Sequence, residues 1–187
     1  MTDQERSTLT TLLEASAASV RAAAADLSDS QANFRPTADA WSPLEVLEHL
    51  VLIEHGIFVG VSQLLATPAQ PELKAEVAGK DETLINLVPL RRRRAPSPEM
   101  FLPPAVCRPL PEALAAFALA RAITLDFART TQADLRSHFK EHFALKLMDG
   151  YQWLLLLGSH AQRHAAQITE AQQHPCYPAR ATSSGLP

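Results

Sequence analysis

Apolar residues recur at helical spacing in four stretches of the chain. In the first, Leu9, Leu12, Leu13, Val20 and Ala24 fall on roughly one stripe, and Thr2 with Glu5 has capping-box spacing. A helix is therefore predicted from near Thr2 to just before Ser28-Asp29-Ser30, followed by a loop through Asn33-Phe34-Arg35-Pro36. The second has the clearest start. Ser42 suits the N-cap, Pro43 the first helical position and Glu45 the third place of a Ser-x-x-Glu box, while Trp41 and Val46 can staple the entry. It should run to about Ala66, turning Leu47, Leu50, Val51, Ile57, Phe58, Val61, Leu64 and Leu65 inward.

Between Thr67 and Pro111 the pattern breaks: nine of the fourteen prolines lie there, with the run Arg91 to Arg94. Proline denies most of this stretch a hydrogen-bonded element, although Asp81 to Val88 can form a short helix. A connector this long in one domain is expected to cross a bundle or cover a site. The third helix is predicted from Pro111 to about Thr130, with Leu114, Phe117, Leu125 and Ala128 inward. The fourth spans Gly150 to Gln172 and gathers Trp153, Leu156, Leu157, His160, His164, Ile168 and Ala171 on one broad face.

The reading is an all-α four-helix bundle formed by residues 1–173, with residues 174–187 as a flexible tail. Composition agrees, since only 6% aromatic residues beside abundant Ala and Leu favour helices over sheet faces. Strands should be few or absent. No run approaches the roughly 20 apolar residues that span a bilayer, and the polar start Met1-Thr2-Asp3-Gln4-Glu5 is unlike a secretory leader, so a cytoplasmic location is expected. A formal charge of −3 disfavours general nucleic-acid binding. Cys107 and Cys176 lack CxxC spacing and are read as free thiols.

The candidate chemistry rests on histidine. His160 and His164 stand one turn apart, close enough to share an ion, and on an apolar face each would otherwise need a buried partner. His49, at the border of the second helix's apolar face, is the best third ligand; a histidine at a helix-packing seam is the plainer alternative. Gly56 and Gly60 on that border would let a neighbouring helix approach closely.

The segment Trp41-Ser-Pro-Leu-Glu-Val-Leu-Glu-His49-Leu50, followed about 110 residues later by His160-Ala-Gln-Arg-His164-Ala-Ala-Gln167-Ile168, resembles the signature of the DinB/YfiT-like superfamily. The resemblance implies up-down-down-up connectivity, with a long crossover between helices two and three that the proline-rich connector would supply. It further implies that His49, His160 and His164 form a metal triad for one divalent ion, commonly zinc or nickel, and that the protein is a homodimer. Members of the superfamily are described as thiol S-transferases, isomerases or putative hydrolases. The function expected is thus a metal-dependent hydrolase or small-thiol S-transferase acting on a small-molecule substrate, with a low-molecular-weight thiol as a possible partner. The alternative is a non-catalytic stress-response or interaction protein whose ion is structural or sensory. Three protein ligands leave room for water or substrate, as catalytic sites do. Glu45 could orient His49, though its capping role accounts for it equally.

Three weaker signals compete. His138-Phe-Lys-Glu-His142 matches the H-x-x-E-H zinc pattern, but a polar turn or short helix leading into the fourth helix explains it better. Arg91 to Arg94 could meet phosphate or carboxylate, or simply form a solvated loop. Cys176 beside His174 sits in a proline-flanked tail, where accident outweighs design. Nucleotide-binding and serine-hydrolase motifs are absent.

Overall fold

The computed structural model describes residues 1–91 and 96–179. Its main elements are α1 (Asp3–Ala24), α2 (Asp29–Ala32), α3 (Pro43–Leu64), α4 (Lys80–Leu87), α5 (Leu110–Thr130), β1 (Phe139–His142), β2 (Lys146–Asp149) and α6 (Gly150–Gln172). Four of these, α1, α3, α5 and α6, are the predicted bundle helices. Complete capping boxes start α1 at Thr2, α3 at Ser42 and α6 at Asp149.

Packing pairs α1 with α6 and α5, and α3 with α5 and α6, so α1 and α3 face each other across a diagonal. Side chains reveal the directions. Arg6, near the start of α1, donates to the carbonyls of Ala128 (2.6 Å) and Thr131 (2.8 Å) at the end of α5. Tyr151 donates to Glu5 O (3.0 Å) where α6 and α1 begin, and Gln172 to Ala23 O (2.6 Å) where both end. Along α3, Glu48 meets Arg108, just ahead of α5, while Glu54 and Phe58 meet Arg121 and Phe127 within it. Helices α3 and α5 therefore run side by side in one direction, and the connector between them traverses the length of the bundle.

Leu9, Leu13, Leu154 and Leu155, all 0% exposed, centre one core cluster; Val46, Leu47 and Ala161 centre another toward the start of α3. Between the clusters lies a buried polar layer. Arg121 pairs with Glu54 and also donates to Leu13 O (2.9 Å), Ser16 Oγ (2.7 Å) and Leu157 O (3.4 Å), touching all four helices. Gly158 lets α6 settle onto α1, because a Cβ there would lie 2.6 Å from Leu12 Cγ.

Several expectations change. The segment read as a polar turn or short helix is β1, the first strand of a hairpin with β2, in register Phe139↔Asp149 to His142↔Lys146. Helix α2 occupies the stretch after Ser28, capped by a Ser28–Gln31 box. Gly56 faces no helix: a Cβ there would meet the Phe101 ring of the connector at 2.5 Å, and one at Gly60 nothing within 4 Å. The expected tail begins in contact with the body, where His174 and Tyr177 pack on Phe34 and Pro178 O accepts from Gln31. Residues 180–187 lie outside the described residues, as do Arg92 to Arg94. No helix among the described residues is long and apolar enough to cross a membrane.

Candidate metal centre

His49 lies in the second turn of α3, where the capped start sets the helix phase and Val46, Leu47 and Leu50 bury its face. His160 and His164 project from the second half of α6, and the α3–α6 contact brings all three rings together. His160 Nε2 stands 3.0 Å from His49 Nε2 and 3.0 Å from His164 Nε2, and the three atoms lie within 4.8 Å of one another. Arms of about 2.0–2.1 Å to a common tetrahedral centre place such nitrogens about 3.3–3.4 Å apart, close to the two 3.0 Å separations from His160 Nε2.

Hydrogen bonds at the far nitrogens settle where the protons are. His49 donates Nδ1–H to Phe101 O (2.7 Å), which leaves a lone pair on Nε2. Arg91 Nη1 can only donate, and it reaches Gln167 Oε1 at 2.8 Å; that oxygen must therefore also be the acceptor for His164 Nδ1–H, at 3.0 Å. His164 Nε2 thus carries a second lone pair. A neutral His160 placed between two acceptors can satisfy at most one of them with its own N–H. A shared cation satisfies all three nitrogens, so this donor set fits a divalent ion.

The electrostatics agree. Burial pushes His160 down to about 3, helped by the neighbouring charges of His49 and Arg163. His164 is held well below the usual histidine range by burial and by the charges of His160 and His49, and burial also lowers His49. All three are neutral at pH 7, the form in which imidazole offers a lone pair. The cluster contains no carboxylate or thiolate, so the full charge of an ion there would remain to act on a fourth ligand. Trp41 closes one side, its ring 4.8 Å from His49 and 6.4 Å from His164.

The other sequence candidates stay apart from this point. Glu45 serves the cap, accepting from Ser42 N (2.8 Å), and pairs with Arg35; the carbonyl of Phe101 orients His49 in its place. His138 immediately precedes β1 and His142 ends it, a span of about 13 Å, and alternation turns Glu141 away from His142. His142 Nδ1 accepts the amides of Ala144 (3.1 Å) and Leu145 (3.0 Å), spending that nitrogen on the hairpin turn. Both cysteines are free, and His174 Nδ1 accepts Cys176 N instead of activating its thiol. Sequence reasoning missed Phe101 and Gln167 as partners of the ligands. A backbone carbonyl leaves no mark in a sequence, whereas Gln167, one turn beyond His164, was open to being found by its spacing.

Comparison with curated proteins returns no match. A solved structure from Bacillus subtilis, described as "YfiT from Bacillus subtilis is a probable metal-dependent hydrolase with an unusual four-helix bundle topology", aligns with 92% of this chain and 89% of its own, with a TM-score of 0.61 and 18% identity. That likeness is one of fold. The model of the DinB superfamily matches residues 12–168, and on that match the chain belongs to the DinB superfamily.

Proposed function

We propose that His49, His160 and His164 hold one divalent ion, zinc or nickel, through their Nε2 atoms, and that the protein is a metal-dependent hydrolase or small-thiol S-transferase acting on a small molecule. The observation that carries this reading is the pair of lone pairs aimed at His160 Nε2 from 3.0 Å on either side, an arrangement a cation resolves. The ion would supply Lewis acidity, lowering the pKa of a water or thiol held beside it. The chain's own residues do the rest. Phe101 O and Gln167 hold two imidazoles in the tautomer that binds, and Trp41 excludes water from one side. The fold relative described as a "probable metal-dependent hydrolase" supports the hydrolase branch; the thiol S-transferases of the superfamily that the sequence resembles support the other.

Equilibrium dialysis of the metal-free protein against zinc and nickel tests the assignment. One equivalent is expected, with affinity lowered at least 100-fold in His160→Ala and unchanged in His138→Ala. Cobalt substitution then separates reactions: a four-coordinate spectrum perturbed by a low-molecular-weight thiol supports transfer, and one altered only by pH supports hydrolysis. A second reading, an ion kept for stability or sensing, draws on the depth of His49 (2% exposed) and His164 (6%). A cobalt spectrum indifferent to both thiol and pH would favour it.

A further inference from the structure

Of the two hydrogen bonds that place the protons of the ligands, one comes directly from the connector between α3 and α5, and the other, made by Gln167 on α6, is fixed by a connector residue, Arg91. Phe101, in a single 3-10 turn at Glu99–Phe101, presents its carbonyl to His49 Nδ1 at 2.7 Å. Its ring occupies the space left by Gly56, two turns beyond His49 on the same face of α3, where a Cβ would come within 2.5 Å. Arg91 sits at the opposite side. Its backbone is left-handed at φ 42°, a conformation unusual for a residue with a side chain, and its guanidinium spans Gln167 (2.8 Å) and Glu170 (3.0 Å) on α6. Gln167 has an amide that can present either oxygen or nitrogen to His164, and Arg91, a pure donor, forces the oxygen.

We propose that Arg91 and the Phe101 peptide are positioning residues that set the tautomers of His164 and His49, so that the triad can bind an ion only while the connector is docked on α3 and α6. The inference rests on the metal reading above for its consequence, but the tautomers themselves belong to the metal-free protein. Left-handed backbone at Arg91 and an open seat at Gly56 are what such docking requires. By linkage, whatever favours the docked connector raises ion affinity, and the ion in turn holds the connector down.

The test reads imidazole 15N shifts in metal-free protein and zinc affinity in parallel. In the wild type, His49 and His164 should both be Nδ1-protonated. Arg91→Ala should leave His164 a mixture of tautomers and weaken zinc by about 10-fold, within the range seen for lost outer partners of metal ligands. Arg91→Lys, which keeps a donor near Gln167 Oε1, should recover most of both effects. Gly56→Val should do the same to His49 alone, with circular dichroism unchanged. If both variants retain Nδ1-protonated rings and bind zinc within threefold of wild type, the inference is overturned. Should zinc fail to bind the wild type while the tautomers shift as expected, the connector's role stands and the metal reading falls.

Discussion

At the scale of single residues, the histidines make stability depend on pH in a direction that can be worked out. Unfolded, His160 titrates near 6.5; folded, burial and the His49 and Arg163 charges bring it to about 3. Between those values the unfolded chain binds more protons, so stability of the metal-free protein is full above 6.5 and drains away as the solution is acidified toward 3. His164 and His49 are shifted the same way and add to the slope. Urea midpoints measured at pH 7, 6 and 5 should fall steadily, and His160→Gln should flatten the trend; an unchanged slope would remove His160 from the account. Asp81 and Glu5 are also lowered, against burial, by their hydrogen bonds, those of Arg136 prominent among them. Their contribution is lost only at lower pH, as acid passes through the shifted carboxylate values.

At the scale of elements, local chemistry and close packing dominate. Ser42 accepts from Glu45 N at 3.3 Å and is 2% exposed, so Ser42→Ala should cost about 1 kcal/mol by chemical denaturation through the lost cap. Gly158→Ala gains helix propensity but drives a methyl group into Leu12, 2.6 Å away; the balance should be a loss of about 1–2 kcal/mol. The elements legible in the sequence were those with such signals. Ser42-Pro-Leu-Glu45 marked the start of α3, and the stripe from Trp153 to Ala171 marked α6. Helix α2 escaped notice because four residues carry no period, even though Ser28 and Gln31 have box spacing. The hairpin was missed for a similar reason. Each strand has four residues, and the turn at 143–145 leads into a left-handed Lys146 (φ 62°) at the start of β2, with no glycine to announce it.

On the scale of the whole molecule, the Arg121–Glu54 pair connects all four long helices while excluded from water, with exposures of 1% and 2%. Removing one partner strands a buried charge, and Glu54→Gln should destabilise by about 3–5 kcal/mol. Replacing both with apolar residues, as in Glu54→Leu with Arg121→Met, should restore much of the loss; a double variant no better than the single would show the pair to be net stabilising. Arg121 gave no hint in the sequence, because it interrupts an otherwise apolar face with a residue that is usually solvated. The histidine triad was visible because two of its members share one helix turn, while its alignment with His49 depended on how α3 and α6 pack. The rest of the centre is invisible for a plain reason: the carbonyl of Phe101 and the backbone angle of Arg91 belong to the path of the chain and not to its side-chain types.

Because α1 and α6 run alongside each other in the same direction, their outer ends emerge at opposite poles of the bundle, separated by the length of a 23-residue helix, about 35 Å. Joining those ends to permute the chain would need a bridging linker that long. A purification tag placed after α6 would leave from the pole nearer His164, whereas one placed before α1 would leave beside the hairpin. Metal stoichiometry is therefore better measured with an N-terminal tag, whose own imidazoles start at the far pole.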